Sequence, residues 1–230
     1  MQGIQYILTD IEGTTTSIDF VHAELFPYAY ERLPAYVRAH AQDEAVKACL
    51  LQTQQTLLEE GKNAEGVEVL ITALLDWIKT DRKHPALKTL QGLLWQEGYE
   101  TGAFQGHVYP DVLPRLQQWR TQGIGLGIYS SGSVAAQRLL FGYSVFGDLN
   151  GLFDHNFDTA VGHKKEPAAY QHILQVLGLP AEAVLFLSDV EAELDAAQAV
   201  GIKTIQLVRE GTVASERHFG VTEFGEIELA

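Results

Sequence analysis

The sequence predicts an α/β fold, a doubly wound parallel sheet, and three observations predict it. Short apolar runs of strand length recur along the chain, and each ends abruptly in polar or acidic residues. Amphipathic helical stretches alternate with these runs, which implies a parallel sheet with helices on both faces. Residues 19–105 break the alternation, because they carry helical periodicity and no strand.

The first strand is Ile4, Tyr6, Ile7 and Leu8, and it leads into Asp10, Glu12 and Gly13. Asp19 then starts a helical stretch to about residue 40 carrying Val21, Leu25, Tyr28, Leu33, Tyr36 and Val37, with Pro27 and Pro34 placed to bend or divide it. A second helix, 43–60, puts Val46, Cys49, Leu50, Thr53 and Leu57 on one face, and Gly61 stops it. A third, 65–82, has the clearest stripe: Val67, Leu70, Ile71, Leu74, Leu75 and Ile78. Pro85 starts a fourth, with Leu87, Leu90 and Leu94 on one side, which is expected to end before Gly98. Four such helices without strands read as an insert of residues 19–105 between two parts of a core, 1–18 and 106–230.

The α/β pattern returns with a helix from Val112 to near Gly123, a strand from Ile124 to Tyr129, and a helix from Val134 to Phe141. Residues 152–161 look extended, and a helix covers Pro167–Leu177. A buried strand, Val184–Leu187, ends in Ser188-Asp189. A helix from Ala192 to Val200 stops at Gly201, and Thr204–Val208 is expected to close the sheet.

With 230 residues, 46% of them hydrophobic, the chain suits a core with one insert. Its formal charge is −14, from 16 basic and 30 acidic side chains. Such a surface repels nucleic acid and anionic membranes, so neither is an expected partner. A phosphorylated substrate would be repelled too, and a site for one needs local positive charge. The single cysteine, Cys49, excludes an intrachain disulfide and falls on an apolar helical stripe, where it reads as core. No signal pattern or membrane-length apolar run is visible, so a cytoplasmic protein is expected.

An apolar strand ending in two acids and a glycine puts both carboxylates at the mouth of a parallel sheet, where ligands bind. A strand followed by a polar turn would look the same if it stood alone. Asp10-Ile11-Glu12-Gly13-Thr14 resembles the first motif of the haloacid dehalogenase superfamily, usually Asp-x-Asp-Gly-Thr. Ser130, Lys164, and Asp189 with Glu193 follow in the order and spacing of its other three motifs. Glu12 in place of the second Asp points to one branch, the enolase-phosphatases of methionine salvage. Tyr-Ser-Ser-Gly-Ser-Val-Ala-Ala-Gln at 129–137 and Gly-His-Lys-Lys-Glu at 162–166 are similar to that branch.

The resemblance implies a Rossmann-like haloacid dehalogenase core with an inserted all-helical cap. It implies that Asp10 is a nucleophile forming an acyl phosphate, and that Asp10 and Asp189 bind one Mg²⁺ per subunit. Glu12 inherits two roles, acid/base and metal ligand through its backbone carbonyl; its longer side chain leaves open acid/base catalysis, side-chain metal ligation, or both. Ser130 would bind a phosphoryl oxygen with help from Ser131, although an isolated Ser-Ser-Gly-Ser is more often a helix-capping turn. Lys164 would act beside phosphate and nucleophile. Lys165 is adjacent, and the spacing Lys-x-x-Pro to Pro167 favours Lys164. Glu193 would orient metal-bound water or Lys164; otherwise it is an exposed acid at a helix start. His107, His155, His163 and His172 show no metal-ligand spacing.

The implied reaction enolises 2,3-diketo-5-methylthiopentyl-1-phosphate and removes its phosphate, giving acireductone, with the protein a monomer. A related Mg²⁺-dependent phosphatase without enolase activity is the alternative. A dehalogenase fits the acids less well, and a phosphoacceptor domain would lack the helical insert.

Overall fold

The computed structural model of the protein describes residues 2–229. The chain divides into two compact units: one runs up to Ile18 and resumes at Gln105, and the other is Asp19–Phe104.

The first unit holds a single six-stranded sheet. Its strands are β1 (Tyr6–Thr9), β2 (Gly125–Tyr129), β3 (His155–Phe157), β4 (Val184–Ser188), β5 (Lys203–Leu207) and β6 (Gly220–Val221). Their order is β3-β2-β1-β4-β5-β6, and every neighbouring pair is parallel. All four residues of β1 are buried, as a strand covered on both faces requires. Tyr6 and Leu8 join Tyr129, Tyr170, Phe186 and Leu194 in one core face. Thr9 stands opposite Ile128 on one side and Leu187 on the other, so β1, β2 and β4 end at the same edge. Because β2 and β4 leave β1 in opposite directions, this edge is the switch point where open α/β sheets bind ligands.

The helices of this unit are α6 (Val112–Thr121), α7 (Val134–Gly142), α8 (Pro167–Leu177) and α9 (Glu191–Gln198). Two expectations change here. The stretch 152–161 is mostly turns around a three-residue strand, β3. The sheet also continues past β5 to β6, where Leu207 pairs with Val221. Two residues carry no readable alternation, so β6 had no periodic signature.

The second unit opens within α1 (Ile18–Phe20), and one π-helical turn, Val21–Leu25, comes next. It then has α2 (Phe26–His40), α3 (Glu44–Glu59), α4 (Val67–Lys79) and α5 (Pro85–Glu100). The stripes of these four helices converge on a shared core that includes Leu33, Val37, Leu57, Leu74, Leu87 and Leu94. Pro27 is the second residue of α2 and Pro34 lies inside it, and neither ends the helical run that reaches His40. Cys49 is buried in this core, and burial pushes its thiol up, away from the reactive thiolate. Helix α5 runs through Gly98 rather than stopping before it. A Cβ there would come within 2.6 Å of the Phe104 ring, so the glycine makes room for an aromatic contact.

Candidate active site

The site is built from the turns that leave β1, β2 and β4 and from the loop between β3 and α8. Asp10 N–H donates to the Leu187 carbonyl (2.9 Å), which ties the first acid to the neighbouring strand. The chain then curls tightly: the N–H groups of Thr14, Thr15 and Thr16 all point at the Ile11 carbonyl. Gly13 makes this turn at φ +76°, and a Cβ there would lie 2.5 Å from Asp189 Oδ2. Both backbone and space therefore demand glycine. The Thr14 hydroxyl donates to Asp189 Oδ1 (3.3 Å) and accepts from Asp189 N–H (3.0 Å), so the first and last motifs are latched together.

Lys164 is only 3% exposed, and its ammonium lies 2.6 Å from both Asp10 Oδ1 and Glu193 Oε2. Lys165 is exposed and does not join this cluster. Two tyrosine hydroxyls fix the loop before α8: Tyr129 donates to the Gly162 carbonyl (3.0 Å) and Tyr170 to the Lys164 carbonyl (2.8 Å). Glu193, in the first turn of α9, is buried rather than solvent-facing, and Ser188 Oγ donates to it (2.9 Å).

The Ser-Ser-Gly-Ser turn divides its labour. Ser133 caps α7 by accepting from Ala136 N–H (3.3 Å), whereas the buried Ser130 Oγ donates to Glu12 Oε2 (3.1 Å). Ser131 is exposed. The structure thus brings together Asp10, Glu12, Ser130, Lys164, Asp189 and Glu193. Side chains not singled out in the sequence also serve the site: Tyr129, Tyr170, Ser188, Gln206 and Arg209. Tyr129 and Ser188 stand beside motif residues, yet nothing in the sequence names the partners of their hydroxyls, and Tyr170, Gln206 and Arg209 lie outside the motifs.

Four carboxyl groups surround one ammonium, so the cluster is short of positive charge. Burial raises Glu12, and the Asp10 charge raises it further. The same two causes push Asp189 up to about 6 and Glu193 to about 7. Burial works against the Lys164 ammonium, but Asp10 and Glu193 outweigh it and hold lysine above its ordinary value.

A hard divalent cation would repair this imbalance. Asp10 Oδ1 meets Lys164 as an ion pair, yet among the described residues no donor reaches it at hydrogen-bonding angles. The space beside Asp189 that a Cβ at Gly13 would fill is kept open. Among the described residues no three His, Cys, Asp or Glu side chains form a ready-made metal cluster, so backbone oxygen would have to complete the ligand set. An oxygen-only set of this kind fits Mg²⁺. The histidines serve elsewhere; His107 Nδ1 accepts from Ser17 N–H (3.0 Å), and Tyr6 OH meets His155 Nδ1 (3.1 Å).

The family description "Hydrolase: haloacid dehalogenase-like hydrolase" matches residues 4–201. The chain belongs to this family. Within it, an Enolase-phosphatase E1 from Picosynechococcus sp. is 52% identical over 97% of this chain and 98% of its own length. Another, from Methylococcus capsulatus, is 50% identical over 97% of both chains. Relatives this similar over this span also make the chain a member of the enolase-phosphatase branch. Among solved structures, the UTR4 protein of Saccharomyces cerevisiae is 36% identical, with a TM-score of 0.79 over 97% of this chain and 100% of that one. A phosphatase of this family from Thermococcus onnurineus, 19% identical with a TM-score of 0.63, shares the fold of the haloacid dehalogenase-like core.

Proposed function

We propose that the protein is an acireductone synthase: it enolises 2,3-diketo-5-methylthiopentyl-1-phosphate and dephosphorylates the enol to acireductone in L-methionine salvage. The observation that carries this reading is the buried ammonium of Lys164 between Asp10 and Glu193, with Glu12 and Ser130 alongside, in a chain about half identical to enolase-phosphatases.

Asp10, Asp189 and the backbone carbonyl of Glu12 would hold a Mg²⁺, which when bound would supply charge neutralisation for the phosphoryl group and polarisation of the ketone. The Asp10 carboxylate attacks phosphorus; the bond to the leaving oxygen breaks, and an acyl phosphate forms. Glu12 gives its proton to the leaving oxygen. Its raised pKa supports this role, since a carboxyl that keeps its proton can serve as the acid. Glu12 then takes a proton from water as that water opens the acyl phosphate, which restores both carboxyl groups. Ser130 and Ser131 bind phosphoryl oxygen, and Lys164 presents its charge to the phosphate and keeps Asp10 aligned. Glu193 keeps Lys164 in place.

The enzyme acts as a cytoplasmic monomer on this small phosphorylated diketone. Among the described residues no helix is long and apolar enough to cross a membrane. The test is to follow the diketone phosphate with Mg²⁺-saturated protein by ¹H and ³¹P NMR. Acireductone and inorganic phosphate in equal amounts are expected. Phosphate release that leaves the diketone un-enolised would reduce the protein to a simple phosphatase, and no phosphate release would overturn the reading.

A further inference from the structure

We propose that Arg209 is a positioning residue for the metal site, acting from beyond the region that the family description matches. The inference rests on the Mg²⁺ reading above. Arg209 follows β5, and its Nε donates to the Thr14 carbonyl (3.2 Å). Thr14 is fully buried, and it is the residue whose hydroxyl exchanges two hydrogen bonds with Asp189. Holding its carbonyl therefore sets where its hydroxyl stands, and through it the Asp189 carboxylate.

The guanidinium is itself held on every side. It forks onto Asp111, Nη1 to Oδ1 at 3.1 Å and Nη2 to Oδ2 at 2.8 Å, and Nη1 also donates to the Thr222 carbonyl (3.0 Å). Phe224 N–H donates to the same Asp111 Oδ2 (2.8 Å), and the Tyr109 ring lies 4.2 Å from the guanidinium carbon. Tyr109 N–H in turn donates to the Thr15 carbonyl (3.0 Å), so the next residue of the turn is tied to the same block. From the same segment, Gln206 Nε2 donates to the Asp189 carbonyl (2.9 Å). A lysine could keep the charge but not a fork and a third donor in one plane. The segment after residue 201 thus braces both halves of the Thr14–Asp189 latch.

The experiment titrates Mg²⁺ into metal-free protein by calorimetry, without substrate, for the parent, Arg209→Lys, Thr14→Val and the double variant. Outer contacts of a metal ligand commonly set affinity by tenfold or more, so Arg209→Lys should raise the Mg²⁺ Kd by about tenfold. The Mg²⁺ needed for half-maximal rate should rise by the same factor, while kcat at saturating Mg²⁺ recovers. Since Arg209 acts through Thr14, the double variant should bind Mg²⁺ no more weakly than Thr14→Val alone. A general loss of stability would lower the Tm without this pattern. An unchanged Kd in folded Arg209→Lys, or additive losses in the double variant, would overturn the proposal. If Arg209→Lys does not fold, Asp111→Asn removes one arm of the fork while leaving Arg209 in place; a smaller rise in Kd is expected, and an unchanged Kd is again contrary. A parent that binds no Mg²⁺ would instead sink the metal reading itself, and this inference with it.

Discussion

Asp10 is given two tasks in the proposed mechanism, nucleophile and metal ligand, and its neighbours allow the two to be separated by experiment. Asp10→Asn keeps the shape but cannot form an acyl phosphate, so phosphate release should fall by about 10⁴-fold or more. Enolisation needs a polarised carbonyl and a base, not the nucleophile, so with excess Mg²⁺ this variant should accumulate enol phosphate. New near-ultraviolet absorbance without free phosphate, and solvent deuterium at the carbon that loses its proton, are the signals. Absence of both in a variant that binds substrate would make Asp10, or a group it positions, the enolisation base. Glu193 allows a second test. Burial and the Asp10 charge hold it near 7 against an ordinary value near 4.5, so in this window the folded protein keeps a proton that the unfolded chain loses. The contribution of Glu193 to the stability of the metal-free protein is therefore full below about 4.5 and is lost as pH rises through about 7. Melting scans should show Tm falling with rising pH, with a shallower slope in Glu193→Gln. Equal slopes would deny Glu193 this role.

At the scale of elements, legibility followed from how a segment is buried. Strands β1, β2 and β4 were readable as apolar runs because both of their faces are covered. Helix α4 was readable because one stripe alone faces a core. Leu74 stands on that stripe fully buried, so Leu74→Ala should cost about 2–5 kcal/mol, measured by denaturant unfolding. A cost below about 1 kcal/mol would mean that the helix packs more loosely than its burial implies. The candidate site was legible wherever a strand ended in an acid, as at Asp10 and Asp189, because position in an α/β sheet gives such a residue meaning. Strand β6 was not legible, since pairing with β5 rather than composition makes it a strand. The clamping role of Tyr129 and Tyr170 was not legible for a related reason: a core tyrosine and a tyrosine that clamps a catalytic loop look alike until the hydroxyl's partner is known.

The whole molecule works against its own substrate, because a chain of charge −14 must attract a phosphate ester. Salt screens that long-range repulsion, shrinking its reach from about 30 Å at 0.01 M to about 8 Å at 0.15 M. At fixed saturating Mg²⁺, kcat/KM should therefore rise over this range with kcat unchanged. A fall in kcat/KM would mean that attraction near the site outweighs the surface field. The Arg209 bond to Thr14 spans 195 positions of the chain, and this has a consequence for synthesis. At about 5–20 residues per second, the ribosome releases Thr14 on the order of ten seconds or more before Arg209. By then the nascent chain already carries Asp10, Glu12, Lys164 and Asp189. It holds those groups while the turn behind them is still untied, so on the Arg209 reading full Mg²⁺ affinity waits until Arg209 has been made.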